Sequence, residues 1–246
     1  MKKRHWFLSL ALLFPAGIWA QGLSVPQILE RVESNQVFST ARLEGVVVVN
    51  DEWGRRETAF RSYSQGRERS LVEFTSGESQ GQRILRTRGD LYLYFPEAAE
   101  VVRLQGAALS ESILDSDVSY EDIGGDKGLN QRYTGELVGS EVVDGRDCWV
   151  IRLTARERGV AYPRQEIWVD KELFLTRFAK YYALSGRLLK EFRVLEVMMV
   201  SGRTLPSRSI IQDKLRRNSS TEIRLNKVEL DLRLPATTFS LGNLTW

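Results

Sequence analysis

The 246-residue sequence has one histidine, His5, and one cysteine, Cys148. His5 falls in a stretch read below as a removable leader, so the rest of the chain has no imidazole. That excludes Ser-His-Asp and Cys-His catalysis and nearly every zinc site. A single thiol excludes an intrachain disulfide. Between Asp147 and Trp149, in a strand-like run, Cys148 reads as a small buried hydrophobe. Long apolar runs are scarce too. The longest, Trp6–Trp19, falls short of the ~20 residues that a membrane span needs. Gly124-Gly125 and Gly128 lack the strand-to-helix context and the closing Lys-Ser/Thr of a phosphate loop. No linker rich in Pro, Gly or Ser divides the chain, and no fixed repeat marks a propeller or solenoid. One large domain is expected.

Met1-Lys-Lys-Arg4, the apolar run and Ala20-Gln21 have the form of a secretory signal peptide. The expectation is a leader over 1–20, cut after Ala20, and an exported, soluble domain over 21–246. No Cys follows the apolar run, so acylation at the cut is not expected. Loss of Lys2, Lys3 and Arg4 leaves basic residues equal in number to the 32 acidic ones. A neutral chain has no global field to hold nucleic acid.

What is present is strand-forming sequence. Residues 164–232 show it best. Glu166–Asp170, Leu173–Tyr182, Leu188–Val197, Ser207–Lys214 and Thr221–Leu232 are apolar and β-branched runs separated by Lys171-Glu172, Ser185-Gly186 and Ser201-Gly202. Such runs, with turn signals every ~8–12 residues, spell an antiparallel meander. Upstream, Ala41–Asn50, Thr58–Ser64, Ser70–Thr75, Arg83–Thr87, Asp90–Phe95 and Val101–Leu104 continue it. Arg132–Val143 and Asp147–Thr154 flank the hairpin turn Asp144-Gly145. The reading is mainly β, one curved sheet of about eleven strands. Ser24–Glu33 reads as a helix with Pro26 in its first turn and Ile28, Leu29 and Val32 on one face. In Leu91-Tyr-Leu-Tyr-Phe95 both faces are apolar, so both are expected to be covered.

Residues 105–128 break the rhythm. Gly106–Leu114 suggests a short helix, and an acidic stretch from Glu111 to Asp126 follows. Asp115-x-Asp117-x-Ser119 begins like a calcium loop, but Tyr120 stands where such a loop needs Gly and Asp126 where it needs Glu. No metal or other cofactor is expected. Carboxylate pairs such as Glu121/Asp122 and Asp144/Asp147 leave a carbohydrate-active enzyme formally open, but nothing singles one pair out. Aromatic residues on the strands suit either a packed core or an apolar cavity. With no catalytic set, the expectation is a non-enzyme that carries lipid.

Asp115-Ser-Asp-Val-Ser-Tyr-Glu-Asp-Ile123 resembles a signature of the outer-membrane lipoprotein-sorting protein family, related to the LolA/LolB carriers. Tyr162-Pro163, Glu166–Glu172, Tyr181-Tyr182, Ser185–Lys190, Leu205-Pro206 and Leu234-Pro235 with Phe239 and Leu244 resemble its later blocks, in order. The resemblance implies an open half β-barrel of antiparallel strands with helices covering the concave face. It implies a monomeric periplasmic carrier for an acylated lipoprotein or lipid, working with an inner-membrane transporter of the resistance-nodulation-division (RND) or ABC type. Strand alternation makes Leu91, Leu93, Phe95, Trp149, Ile151, Ile167 and Val169, or the opposite faces, the cavity candidates. Ile28, Leu29, Val32, Ile113 and Leu114 are the lid candidates. The competing reading is a non-catalytic module that docks on an exporter through the acidic stretch 111–126.

Overall fold

The computed structural model describes residues 22–87, 89–123 and 127–245; the expected leader and the Gly124-Gly125-Asp126 end of the acidic stretch lie outside them. The first meander comprises β1 (Ala41–Asp51), β2 (Gly54–Gln65), β3 (Arg69–Phe74), β4 (Arg83–Thr87), β5 (Asp90–Phe95) and β6 (Glu100–Leu104). The second comprises β7 (Tyr133–Val143), β8 (Arg146–Ala155), β9 (Arg164–Asp170), β10 (Thr176–Tyr182), β11 (Leu188–Val200), β12 (Arg203–Asp213) and β13 (Ser220–Leu230). All thirteen form one open sheet in the order β6-β5-β4-β3-β2-β1-β13-β12-β11-β10-β9-β8-β7. Each of the thirteen strand-like runs forms one strand, so the sheet has thirteen strands and not about eleven. The meanders join at a central seam where β1 pairs antiparallel with β13. β6 and β7 are the two edges, so residues 105–132, which link them, must cross the whole sheet.

Register fixes which side chains share a face. Ile151, Ile167, Ala179, Phe192 and Ile211 are successive cross-strand partners from β8 to β12. On the other flank Leu93, Ile84 and Val72 are partners in the same way. Near the seam β1 bulges at Glu44/Gly45. A Cβ on Gly45 would lie 2.2 Å from the Arg224 carbonyl oxygen and 3.1 Å from the Phe60 ring, so only glycine lets β13 and Phe60 approach.

This inner face has two covers. The first is α1 (Val25–Gln36), entered through Ser24, whose backbone N–H donates to the Gln27 side chain at 2.9 Å. Ile28, Leu29 and Val32 are fully buried against Tyr133, Ile151, Leu153, Ile167 and Val169. Each such side chain contributes about 1.5–3 kcal/mol of gross burial. The second is the crossing segment, here called the strap. Instead of a helix over Gly106–Leu114 it has two 3-10 turns, Gly106–Ser110 and Ile113–Asp115, followed by the one-turn helices α2 (Tyr120–Ile123) and α3 (Leu129–Arg132). Leu114 and Asp115 both adopt positive φ, and Ser112 bridges back to Ser119, which closes a tight loop where a helix would have continued. The cover is thus one true helix and an irregular strap, not a set of helices.

Asp117, 1% exposed, pins the strap to the middle of the sheet. Its carboxylate accepts from Ser219 Oγ at 2.9 Å, Thr221 Oγ1 at 2.8 Å and the Asp213 backbone N–H at 2.9 Å. The start of the calcium-like pattern therefore serves the sheet. Among the described residues no group of three or more His, Cys, Asp or Glu is placed to hold a metal ion. The opposite face of β5 is covered by the C-terminal segment, where Leu234, Phe239 and Leu244 pack with Leu71, Leu85, Tyr92 and Tyr94. This explains why Leu91–Phe95 is apolar on both sides. Cys148 is fully buried beside Val143, Val150 and Trp168, and burial pushes its thiol pKa up, as expected for an inert core residue.

Candidate ligand cavity

Between α1, the strap and the inner faces of β9–β12 lies a cavity of about 410 Å³. Its apolar wall comes from Val32, Leu129, Ile167, Phe192 and Ile211, with Tyr133 and Tyr181 beside them. Glu121, Asp122, Arg132 and Lys190 supply a charged wall on the strap side. A second space of about 280 Å³ lies against β5 and is lined by Leu91, Leu104, Leu109, Tyr120 and Val160. Both spaces touch Glu121, Lys127 and Arg132, so an Arg132–Glu121 pair at 4.0 Å stands between them.

A clasp closes the cavity at its other end. Lys190, only 8% exposed, reaches from β11 to Asp122 Oδ2 at 2.7 Å. Tyr162, in the β8–β9 loop, donates to Asp122 Oδ1 at 2.7 Å. The backbone N–H and hydroxyl of Ser119 donate to Oδ2 at 2.7 and 2.9 Å. Beyond the clasp is a cleft of about 330 Å³ that shares Tyr162 and Lys190 with the cavity and is also lined by Leu189, Leu215 and Arg216. Burial, and then the neighbouring Asp122 carboxylate, push the Tyr162 pKa well above the usual phenol range. The same two influences raise that of Tyr181, whose ring packs 4.8 Å from that of Tyr162. Both phenols therefore stay protonated, Tyr162 as a hydrogen-bond donor and Tyr181 as a packing surface, and neither is a base. The clasp neutralises its own charge and ties strap, loop and sheet together. Such an arrangement is suited to enclosing a ligand.

The structure divides the sequence candidates into separate groups. Ile151, Ile167 and Val169 are buried in one cluster with the lid residues Ile28, Leu29 and Val32. Leu91 and Leu93 lie in another, beneath Ile113, with Leu114 packed at its border. Of these, Ile167 and Val32 line the 410 Å³ cavity and Leu91 the smaller one. Trp149 is half-buried and packs on Phe174, with ring centroids 5.6 Å apart. Phe95 is exposed at the end of β5 and lines neither space, because the strap's cover stops short of it. Lys190, Tyr162 and Tyr181 are not among the site residues expected from sequence. The signal available was a lysine in an otherwise inward-facing position of a strand.

A family model described as an uncharacterized protein matches residues 66–246. A comparison with curated proteins finds no match. Among solved structures, a DUF1329 family protein from Desulfovibrio piger is 25% identical, with a TM-score of 0.81 over 88% of this chain and 96% of its own. A LolA superfamily protein from Nitrosomonas europaea is 26% identical, with a TM-score of 0.75 over 90% of this chain and 100% of its own. A putative outer membrane lipoprotein-sorting protein domain from Vibrio parahaemolyticus has the same fold, at 17% identity and a TM-score of 0.81 over 89% of this chain and 97% of its own.

Proposed function

Because this chain belongs to a family of uncharacterized proteins and shares the architecture of the LolA superfamily, we propose that it carries acyl chains across the periplasm. The observation that carries this reading is the cavity of about 410 Å³ between two apolar clusters, roofed by α1 and the strap. A closed apolar cavity of about 150 Å³ holds one benzene, so this one, whose wall is apolar on one side and charged on the other, is of a size for a single acyl chain. Removing that chain from water supplies about 0.8 kcal/mol per CH₂, enough to retain it without chemistry. Larger cargo, such as a lipoprotein with several chains, would require the strap to lift.

In this reading residues 1–20 are a cleaved export signal, the cargo is a lipid or acylated lipoprotein, and an inner-membrane RND-type or ABC transporter is its source. No helix among the described residues is long and apolar enough to cross a membrane, which suits a shuttle. The alternative of an acidic docking stretch has less support. Asp117 is buried on its partners, Asp122 is exposed but held by Lys190 and Tyr162, and Glu121 lines the cavity, which among the described residues of the stretch leaves Glu111 and Asp115 exposed without such a tie.

Protein purified from its native envelope is expected to yield about one acyl chain per molecule on extraction and mass spectrometry. Ile211→Trp fills the cavity without burying a charge and should abolish this. An empty wild-type protein that also fails to take up a fluorescent fatty acid would defeat the carrier reading.

A further inference from the structure

We propose that the end of the sheet bearing the β1–β2, β12–β13 and β10–β11 turns docks on the surface of an anionic phospholipid bilayer. The six strands β2-β1-β13-β12-β11-β10 are successive, so their three turns stand side by side at one end. At ~4.8 Å per strand, neighbouring turns are about 10 Å apart. Each presents a large apolar side chain to solvent: Trp53 is 82% exposed, Leu215 53% and Leu184 75%. The core needs none of them.

Charge selects the partner. This end carries Arg55, Arg56, Arg187, Lys214, Arg216 and Arg217 against Asp51, Glu52, Glu57, Asp115 and Asp213; Arg55 pairs with Glu57, Arg56 and Arg216 with Asp51, and Lys214 with Glu191. Arg187 and Arg217 are exposed and make no ion pair with a described residue. Tryptophan and leucine tips interleaved with unpaired arginines suit a headgroup layer, where the tips enter the interface and the guanidiniums meet phosphates. At the opposite end Val142 and Met199 are also exposed, but Val142 sits across from Asp147 and close to Asp144 and lacks a comparable basic set.

The position relative to the cavity agrees. The cleft lined by Leu189, Leu215 and Arg216 lies at this end and shares Tyr162 and Lys190 with the inner cavity. A chain leaving a bilayer held here would meet the clasp directly. The inference rests on the carrier reading for its purpose, whereas docking itself is measured without cargo.

Flotation of the purified exported protein with vesicles tests it. Binding is expected to phosphatidylethanolamine/phosphatidylglycerol vesicles at low salt and not to phosphatidylcholine alone. Trp53→Ser with Leu184→Ser should weaken it roughly tenfold, and Arg187→Gln and Arg217→Gln roughly fivefold each. All four positions are exposed turns, so the melting temperature should not move. No binding to anionic vesicles, or equal binding by the variants, overturns the proposal. So does cargo delivery that depends on these residues while vesicle binding is absent, which would make the partner a protein. Ile211→Trp should leave flotation intact. Failure of the carrier reading would thus appear as flotation without extractable lipid, and failure of this one as lipid without flotation.

Discussion

Replacing Asp170 with alanine is expected to remove about 3–5 kcal/mol of stability, the usual effect of stripping one partner from a buried charge cluster. The carboxylate, 1% exposed, accepts from Arg146 Nε at 2.9 Å and Arg177 Nε at 3.2 Å. It also accepts from the backbone N–H groups of Glu172 and Leu173, each at 3.0 Å. Without it two guanidiniums face each other across the end of β9, and the β9–β10 turn loses its organiser. The damage spreads, because Asn35 of α1 donates to the Leu173 and Phe174 carbonyls and Phe174 packs on Trp149. Burial pushes the Asp170 carboxyl up, but hydrogen bonds from Arg146 and the two amides outweigh it and hold the pKa at about 2. The folded value lies below the unfolded one, so the contribution is fully present above about pH 4 and is lost as the pH falls towards 2. It amounts to roughly 1–2 kcal/mol once water at the part-exposed Arg146 is allowed for. Glu222, held at about 2 by hydrogen bonds from Arg224 and Arg208, titrates in the same window. Urea midpoints measured from pH 7 to pH 2 should fall below pH 4 in the wild type and fall less in Asp170→Asn, which starts lower. Equal midpoints at pH 7 would show that the cluster contributes nothing.

Much of the sheet can be read from the chain because strand period and turn chemistry are local signals. Arg83–Thr87 and Asp90–Phe95 have the limits that the pattern suggests. Where limits moved, a specific conformation moved them. The run beginning at Leu173 enters its strand only at Thr176, since Phe174 adopts φ 48° in the Asp170 turn. The helix extends past Glu33 to Gln36, where Asn35 finds its partners in that same turn. Alternation correctly groups Leu91 with Leu93 and Ile167 with Val169, but it does not say how far a cover extends. Hence Phe95, in phase with Leu91 and Leu93, emerges exposed. The clasp was beyond local reading altogether: Lys190 and Asp122 are 68 residues apart and Tyr162 and Asp122 are 40 apart, joined only because the strap crosses the sheet. Asp117 shows the reverse. Its sequence context only begins like a cation loop and names no partner, while the three donors that satisfy it come from β12, β13 and the turn between them.

Those three donors make Asp117→Ala the second variant with a large expected effect. Hydrogen bonds to a charged acceptor contribute about 1.5–3 kcal/mol each, and buried donors left without a partner add their own penalty. Part of this is recovered as water enters, so a loss of about 2–4 kcal/mol is expected. Where it falls matters more than its size. The strap touches the inner face through Ile113, Val118 and Tyr120 and is otherwise irregular, whereas the strands it crosses are paired along their length. Amide exchange should therefore accelerate over residues 106–123 while β1 and β11–β13 keep their protection, as in sub-global opening. Loss of protection from strap and central strands together would instead make the strap part of one cooperative unit. Calcium and chelator should both leave the wild-type melting temperature unchanged, since the Asp117 oxygens are already taken. Under the carrier reading the same variant should load a fluorescent fatty acid as readily as the wild type but release it faster. With the clasp of Lys190, Asp122 and Tyr162 intact, Asp117 sets only how long the roof stays down.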